Sequence, residues 1–176
     1  MTQIIIGQAL GIIAPILTFV SYQVNTKNRL LILQTASTAS TCLAYLLLGG
    51  SSGFALNAVC IIRNIVFFFL DSKSTANRIA TVILTLMMGG MSALSWEGPI
   101  SILMVVALMA NTVFMSFGDP QLLRKSVIGT CSLILIYNIF MENPTIGGIV
   151  NESIGIVASI VGILTFYYRK KKANNI

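Results

Sequence analysis

Charge is scarce in this 176-residue chain: Lys, Arg, Asp and Glu make up 9% of it, where a soluble globular domain carries about 25%. Histidine is absent. Without it there is no Ser-His or Cys-His pair, and conventional nucleophilic catalysis has no base. No pair of carboxylates stands at a spacing suited to acid–base work or metal binding. The three cysteines, Cys42, Cys60 and Cys131, all fall inside apolar runs with no C-x-x-C spacing, and they read as buried thiols. These absences point away from an enzyme and call for no cofactor and no metal. What is plentiful is apolar: 56% of the residues are hydrophobic. A soluble domain of this length needs a charged shell, and hydrocarbon as solvent removes that need.

About 20 apolar residues cross the hydrocarbon of a bilayer as a helix. Seven runs approach that length: Ile4–Tyr22, Leu30–Leu48, Phe54–Leu70, Ile79–Leu94, Ile100–Phe117, Ser126–Phe140 and Ile149–Tyr168. The first segment carries no Lys or Arg and no small-residue cleavage pattern, so it is expected to be a mature helix rather than a signal peptide. The connections are short and turn-like: VNTKNR, GGSSG, DSKSTANR, SWEGP, GDPQLLRK and MENPTIGG.

The basic residues sort by side. The odd-numbered connections and the tail hold Lys27, Arg29, Lys73, Arg78, Arg124, Lys125 and Arg169 to Lys172, ten of the eleven Lys and Arg. The even side holds none, and the eleventh, Arg63, lies within the third run. Positive residues stay in the cytoplasm, so the N-terminus is expected outside and the C-terminus inside. A net charge of +6 scattered over short loops is a topology signal and not a nucleic-acid surface. Trp96 falls where an interfacial belt residue would.

Runs 1–3 and 5–7 point the same way, and residues recur in matching places. Thr38 and Tyr45 are spaced as Thr130 and Tyr137 are, and Gly53 and Asn57 are matched by Gly147 and Asn151. Gln23 follows run 1 as Gln121 follows run 5. The expected organisation is an all-α membrane protein of two parallel three-helix bundles, residues 1–70 and 99–176, joined by a linker helix within residues 71–98.

GQALGIIAPILTFVSYQVNTKNRLLILQ, LAYLLLGGSSG, the IIRN of run 3, and TIGGIVNESIGI before the basic tail together resemble the YgjV-type family of bacterial inner-membrane proteins. The resemblance spans most of the chain and implies a multi-pass protein of the bacterial inner membrane. That family is distantly similar to the SWEET and PQ-loop group, whose plan is three helices, a linker and three more. The chain departs from that group in having no proline in runs 2 and 6, and Pro-Gln only at Pro120-Gln121.

Polar groups inside hydrocarbon are costly and each needs an account. Arg63 is expected near the midplane, about 13 Å from the outer end of run 3. Three roles are open to it: lining a cavity that binds an anionic or hydroxylated solute, pairing with Glu152 near the outer end of run 7, or snorkelling to the headgroups. Asn57 and Asn64, seven apart, share one face of run 3. The SWEET likeness implies that one of these, with Asn151, faces a solute; interhelical bonding is the alternative. Gln34, Thr38, Thr41 and Tyr45 form a polar stripe on run 2. The small residues of TASTAST around it suit close helix packing. Asn111 and Asn138 are further candidates for a lining.

The expected function is facilitated passage of a small polar solute through a pocket between the two halves, lined by Asn57, Arg63, Asn64, Asn151, Gln34, Thr38 and Asn138. The alternative is a non-transporting scaffold or partner-binding subunit. The expected partners are the lipid bilayer and that solute, with a homo-oligomer left open and nucleic acid excluded.

Overall fold

The computed structural model describes residues 2–48, 51–94, 96, 98–140 and 146–174. Gly49, Gly50, Ser95, Glu97 and Met141 to Thr145, which belong to three of the expected connections, lie outside the described residues. Seven helices follow in order: α1 (Thr2–Ser21), α2 (Lys27–Leu48), α3 (Ser51–Phe69), α4 (Thr75–Leu94), α5 (Ser101–Ser116), α6 (Pro120–Phe140) and α7 (Ile146–Asn174). Four of them, α2, α4, α6 and α7, are long and apolar enough to cross a membrane. The apolar stretches of the other three, Ile5–Ser21, Phe54–Phe69 and Ser101–Ser116, are shorter.

Consecutive helices pack on one another within α1–α3 and within α4–α7. Contacts of α1 with α7, and of α3 with α4 and α5, close the ring. α4 lies mainly against α5 and less against α3. The surface is apolar, as hydrocarbon permits and water does not: Leu94 is 83% and Phe69 78% exposed. One core cluster draws a member from every helix or its flank, including Tyr22, Leu31, Phe67, Leu84, Met115 and Ala158.

Several helices begin earlier than hydropathy alone predicts, because polar side chains cap them. Ser74 Oγ accepts from the amide of Asn77 at 3.0 Å, so α4 starts at Thr75 rather than Ile79. Asp119 Oδ1 accepts from the amide of Gln121 at 2.9 Å, and Pro120 takes the first helical position, which has no need of its missing N–H. α6 therefore includes Arg124 and Lys125, which the sequence placed in a loop. α5 ends in Gly118 at φ +67°, the left-handed residue that commonly stops a helix. α7 continues through the basic run to Asn174.

The small residues of α2 do bring α1 close. Ser37 Oγ donates to the carbonyl oxygen of Ala14 at 2.7 Å and bonds the Thr18 hydroxyl at 2.7 Å.

The ends of α1, α3, α5 and α7 meet the starts of α2, α4 and α6 at one end of the bundle, the basic end. Helix C-termini expose unsatisfied carbonyls and carry partial negative charge, and here neighbouring helices supply the donors. Lys27 Nζ donates to the Leu70 carbonyl at 2.7 Å and to Ser72 Oγ at 3.0 Å. Asn77 Nδ2 donates to the Ser116 carbonyl at 3.0 Å. Arg124, fully buried, donates from Nε to the Tyr22 carbonyl at 2.6 Å, and from Nη2 to the Val24 carbonyl at 2.7 Å and Asn25 Oδ1 at 2.9 Å. Gln23 Nε2 reaches the Ala158 carbonyl of α7 at 3.0 Å.

Candidate functional site: a buried polar layer

These end contacts fix how deep each polar side chain lies. α3 starts at Ser51, three residues before the expected Phe54. Arg63 therefore stands six residues from Phe69, about 9 Å at 1.5 Å per residue. It lies within three residues of the centre of α3, on its basic side. Glu152 is six residues before Ala158, the level of Gln23 just past α1, and so also about 9 Å from that end. Glu152 stands six residues into α7, near the outer end of that helix, and its bond to the Cys131 thiol brings it to the same layer. Gln34 lies seven residues beyond Lys27 and Cys131 seven beyond Arg124, about 10 Å each. Thr112 is four residues before Ser116, about 6 Å. Residues of α2, α3, α5, α6 and α7 therefore share one layer, and the Tyr22 side chain, buried, reaches it from below.

Within the layer Arg63 is 4% exposed and Asn64 1%. Arg63 donates to Asn64 Oδ1 from Nε at 3.3 Å and from Nη2 at 3.2 Å, and to Thr112 Oγ1 from Nη1 at 3.3 Å. These bonds are long for N–H···O and go to neutral acceptors. The bonds of Arg124, at 2.6 to 2.9 Å, are short. Arg124 makes the shorter bonds but leaves Nη1 without a partner, whereas each guanidinium nitrogen of Arg63 has one, at longer distance.

Arg63 and Glu152 form no ion pair. Glu152 Oε1 accepts from Asn151 Nδ2 at 3.2 Å, and its carboxyl group also bonds the Cys131 thiol. Tyr22 stands in the field of both charged groups, and its side chain bonds that of Gln34. Three buried polar atoms at this level have no partner: Gln34 Oε1, Asn64 Nδ2 and Asn111 Oδ1. Unpaired buried groups are costly and ask for an explanation.

The structure brings together Gln34, Arg63 and Asn64 and puts Asn151 on Glu152. Thr38 Oγ1 donates to the Gln34 carbonyl at 2.8 Å, so its hydroxyl serves its own helix. Asn57, six residues farther from the basic end than Arg63, and Asn138, seven beyond Cys131, lie about 9–10 Å above the layer. Sequence reasoning passed over Tyr22, Thr112 and Cys131. Tyr22 and Thr112 each flank a residue it had noted, Gln23 and Asn111, but nothing in their spacing signals the meeting.

Two cavities lie elsewhere. One is a cleft of about 10 Å³ at the basic end, between Lys27, Leu30 and the Gly118–Pro120 turn. The other is an apolar groove of about 370 Å³ on the outer face of α2 and α3, floored by Thr35, Ala36 and Ala39 and walled by Phe68 and Phe69.

No curated protein and no solved structure matches the chain. The family model Imp-YgjV, described as bacterial inner membrane protein, matches residues 5–170, nearly the whole sequence, and the chain therefore belongs to that family of bacterial inner membrane proteins.

Proposed function

We propose that this is a seven-span, non-enzymatic facilitator for a small polar solute, with its N-terminus outside and the basic end in the cytoplasm. The solute binds in the polar layer, between the half built on α1–α3 and the half built on α5–α7. The observation that carries this reading is Arg63. A guanidinium buried in hydrocarbon costs at least about 2.5 kcal/mol, and this one has only long bonds to neutral acceptors. The other buried arginine, Arg124, makes its bonds at 2.6 to 2.9 Å, two of them to backbone carbonyls. An incoming solute with an acidic or hydroxyl oxygen supplies what Arg63 and Asn64 Nδ2 lack.

The test is stopped-flow light scattering of proteoliposomes challenged with glycerol, erythritol, glycine or lactate. At least one solute should enter faster than into protein-free vesicles, and Arg63→Gln should slow that entry by about tenfold, the equivalent of one charge-assisted hydrogen bond. Entry at the protein-free rate for all four would overturn the reading. The groove on α2 and α3 favours a second one, in which a partner helix lies against Ala36 and Ala39 and the polar layer only stiffens the bundle.

A further inference from the structure

Arg63, buried, and Glu152, half-buried, are opposite charges in one polar layer with no ion pair between them. A direct ion pair would be the simplest way to offset their burial. The chain instead gives each of them neutral partners. Asn64 and Thr112 hold the guanidinium, and Asn151 and Cys131 hold the carboxyl group. The Tyr22 phenol stands in the field of both. The unpartnered atoms supply a donor, Asn64 Nδ2, and two acceptors, Gln34 Oε1 and Asn111 Oδ1.

We infer that the polar layer is built for a small zwitterion, with the carboxylate of the solute on Arg63 and Asn64 and its ammonium group on Glu152 and a neighbouring amide oxygen. A zwitterion offsets both charges at once. A simple anion or cation leaves one of them uncompensated, and a polyol leaves both. The inference rests on the solute-binding reading and narrows it to one chemical class.

Thermal stabilisation of the full chain in lipid nanodiscs tests it, with matched probes: glycine, acetate, methylamine and glycerol. Glycine should bind at least about tenfold tighter than acetate or methylamine, one charge-assisted bond being worth that much. Glu152→Gln should reduce glycine to the level of acetate, and Arg63→Gln to the level of methylamine. Arg63→Lys and Glu152→Asp keep the charges, so they should keep the order of preference if the neutral variants do not fold. Stabilisation by glycerol or acetate as strong as by glycine would overturn the zwitterion and leave the solute site standing. No stabilisation by any probe, together with no entry into vesicles, would overturn both.

Discussion

Arg124 of α6 closes the turn after α1 by donating to the carbonyl oxygen of Tyr22 at 2.6 Å. Gly162 of α7 leaves the space for this contact: a Cβ there would run into the Tyr22 carbonyl and the Arg124 side chain. Three helices thus meet at one hydrogen bond, about a hundred residues apart in sequence. Replacing Arg124 by Gln should lower stability by about 3 kcal/mol or more, because two carbonyls lose a charged donor inside the bundle. The melting temperature of purified protein in detergent reads this directly, and an unchanged value would mean water serves those carbonyls as well.

Gly162→Ala adds one methyl group and nothing else. The atoms it meets include backbone, which cannot swing aside as a side-chain tip can. A cost of about 1–3 kcal/mol is expected from overpacking. Gly129, whose Cβ would meet nothing within 4 Å, is the control. Gly129→Ala should be neutral or slightly stabilising, since alanine is the better helix former.

Lys27 and Lys73 both count as loop charges, but only one has a structural partner. Lys27→Met removes the donor on the Leu70 carbonyl just past α3 and should cost about 1 kcal/mol, the scale of a cationic cap at a helix C-terminus. Lys73 is exposed and bonds nothing among the described residues, so Lys73→Met should leave the melting temperature unchanged. Equal effects from the two would show that charge alone matters at this end.

Orientation is checked with single cysteines in a background lacking Cys42, Cys60 and Cys131. Lys73→Cys and Pro99→Cys both place the thiol at an exposed position. An impermeant maleimide added to intact cells should label position 99 and spare position 73 until the membrane is opened. The reverse pattern would invert the whole bundle.

A stretch of apolar residues is a long signal, and all seven helices are present in the order the hydropathy predicts. Their ends are a short signal and were partly missed. Asp119-Pro120 and Ser74 are recognisable helix starts, but the basic residues just after them drew the boundary deeper into the chain. That shift is why Arg124 read as a loop charge. Its burial could not be anticipated, because its acceptors sit in a turn that the sequence separates from it by about a hundred residues. The polar layer was legible as a set of costly residues, Gln34, Arg63 and Asn64 among them. What joined them to Tyr22, Thr112 and Glu152 was relative depth, which depends on where each helix ends. Thr38 could not be placed by its polarity, because a threonine hydroxyl in a helix has a ready acceptor four residues back, and Thr38 uses it.

The bond from Arg124 also sets an order of events during synthesis. A ribosome delivers α1 and its following turn long before it delivers α6, so the Tyr22 and Val24 carbonyls must be served by water in the meantime. The turn after α1 therefore lacks these donors until α6 is in place. A nascent chain that stops after α5 leaves the Tyr22 and Val24 carbonyls without the donors Arg124 supplies. Completion of the protein is registered at its beginning.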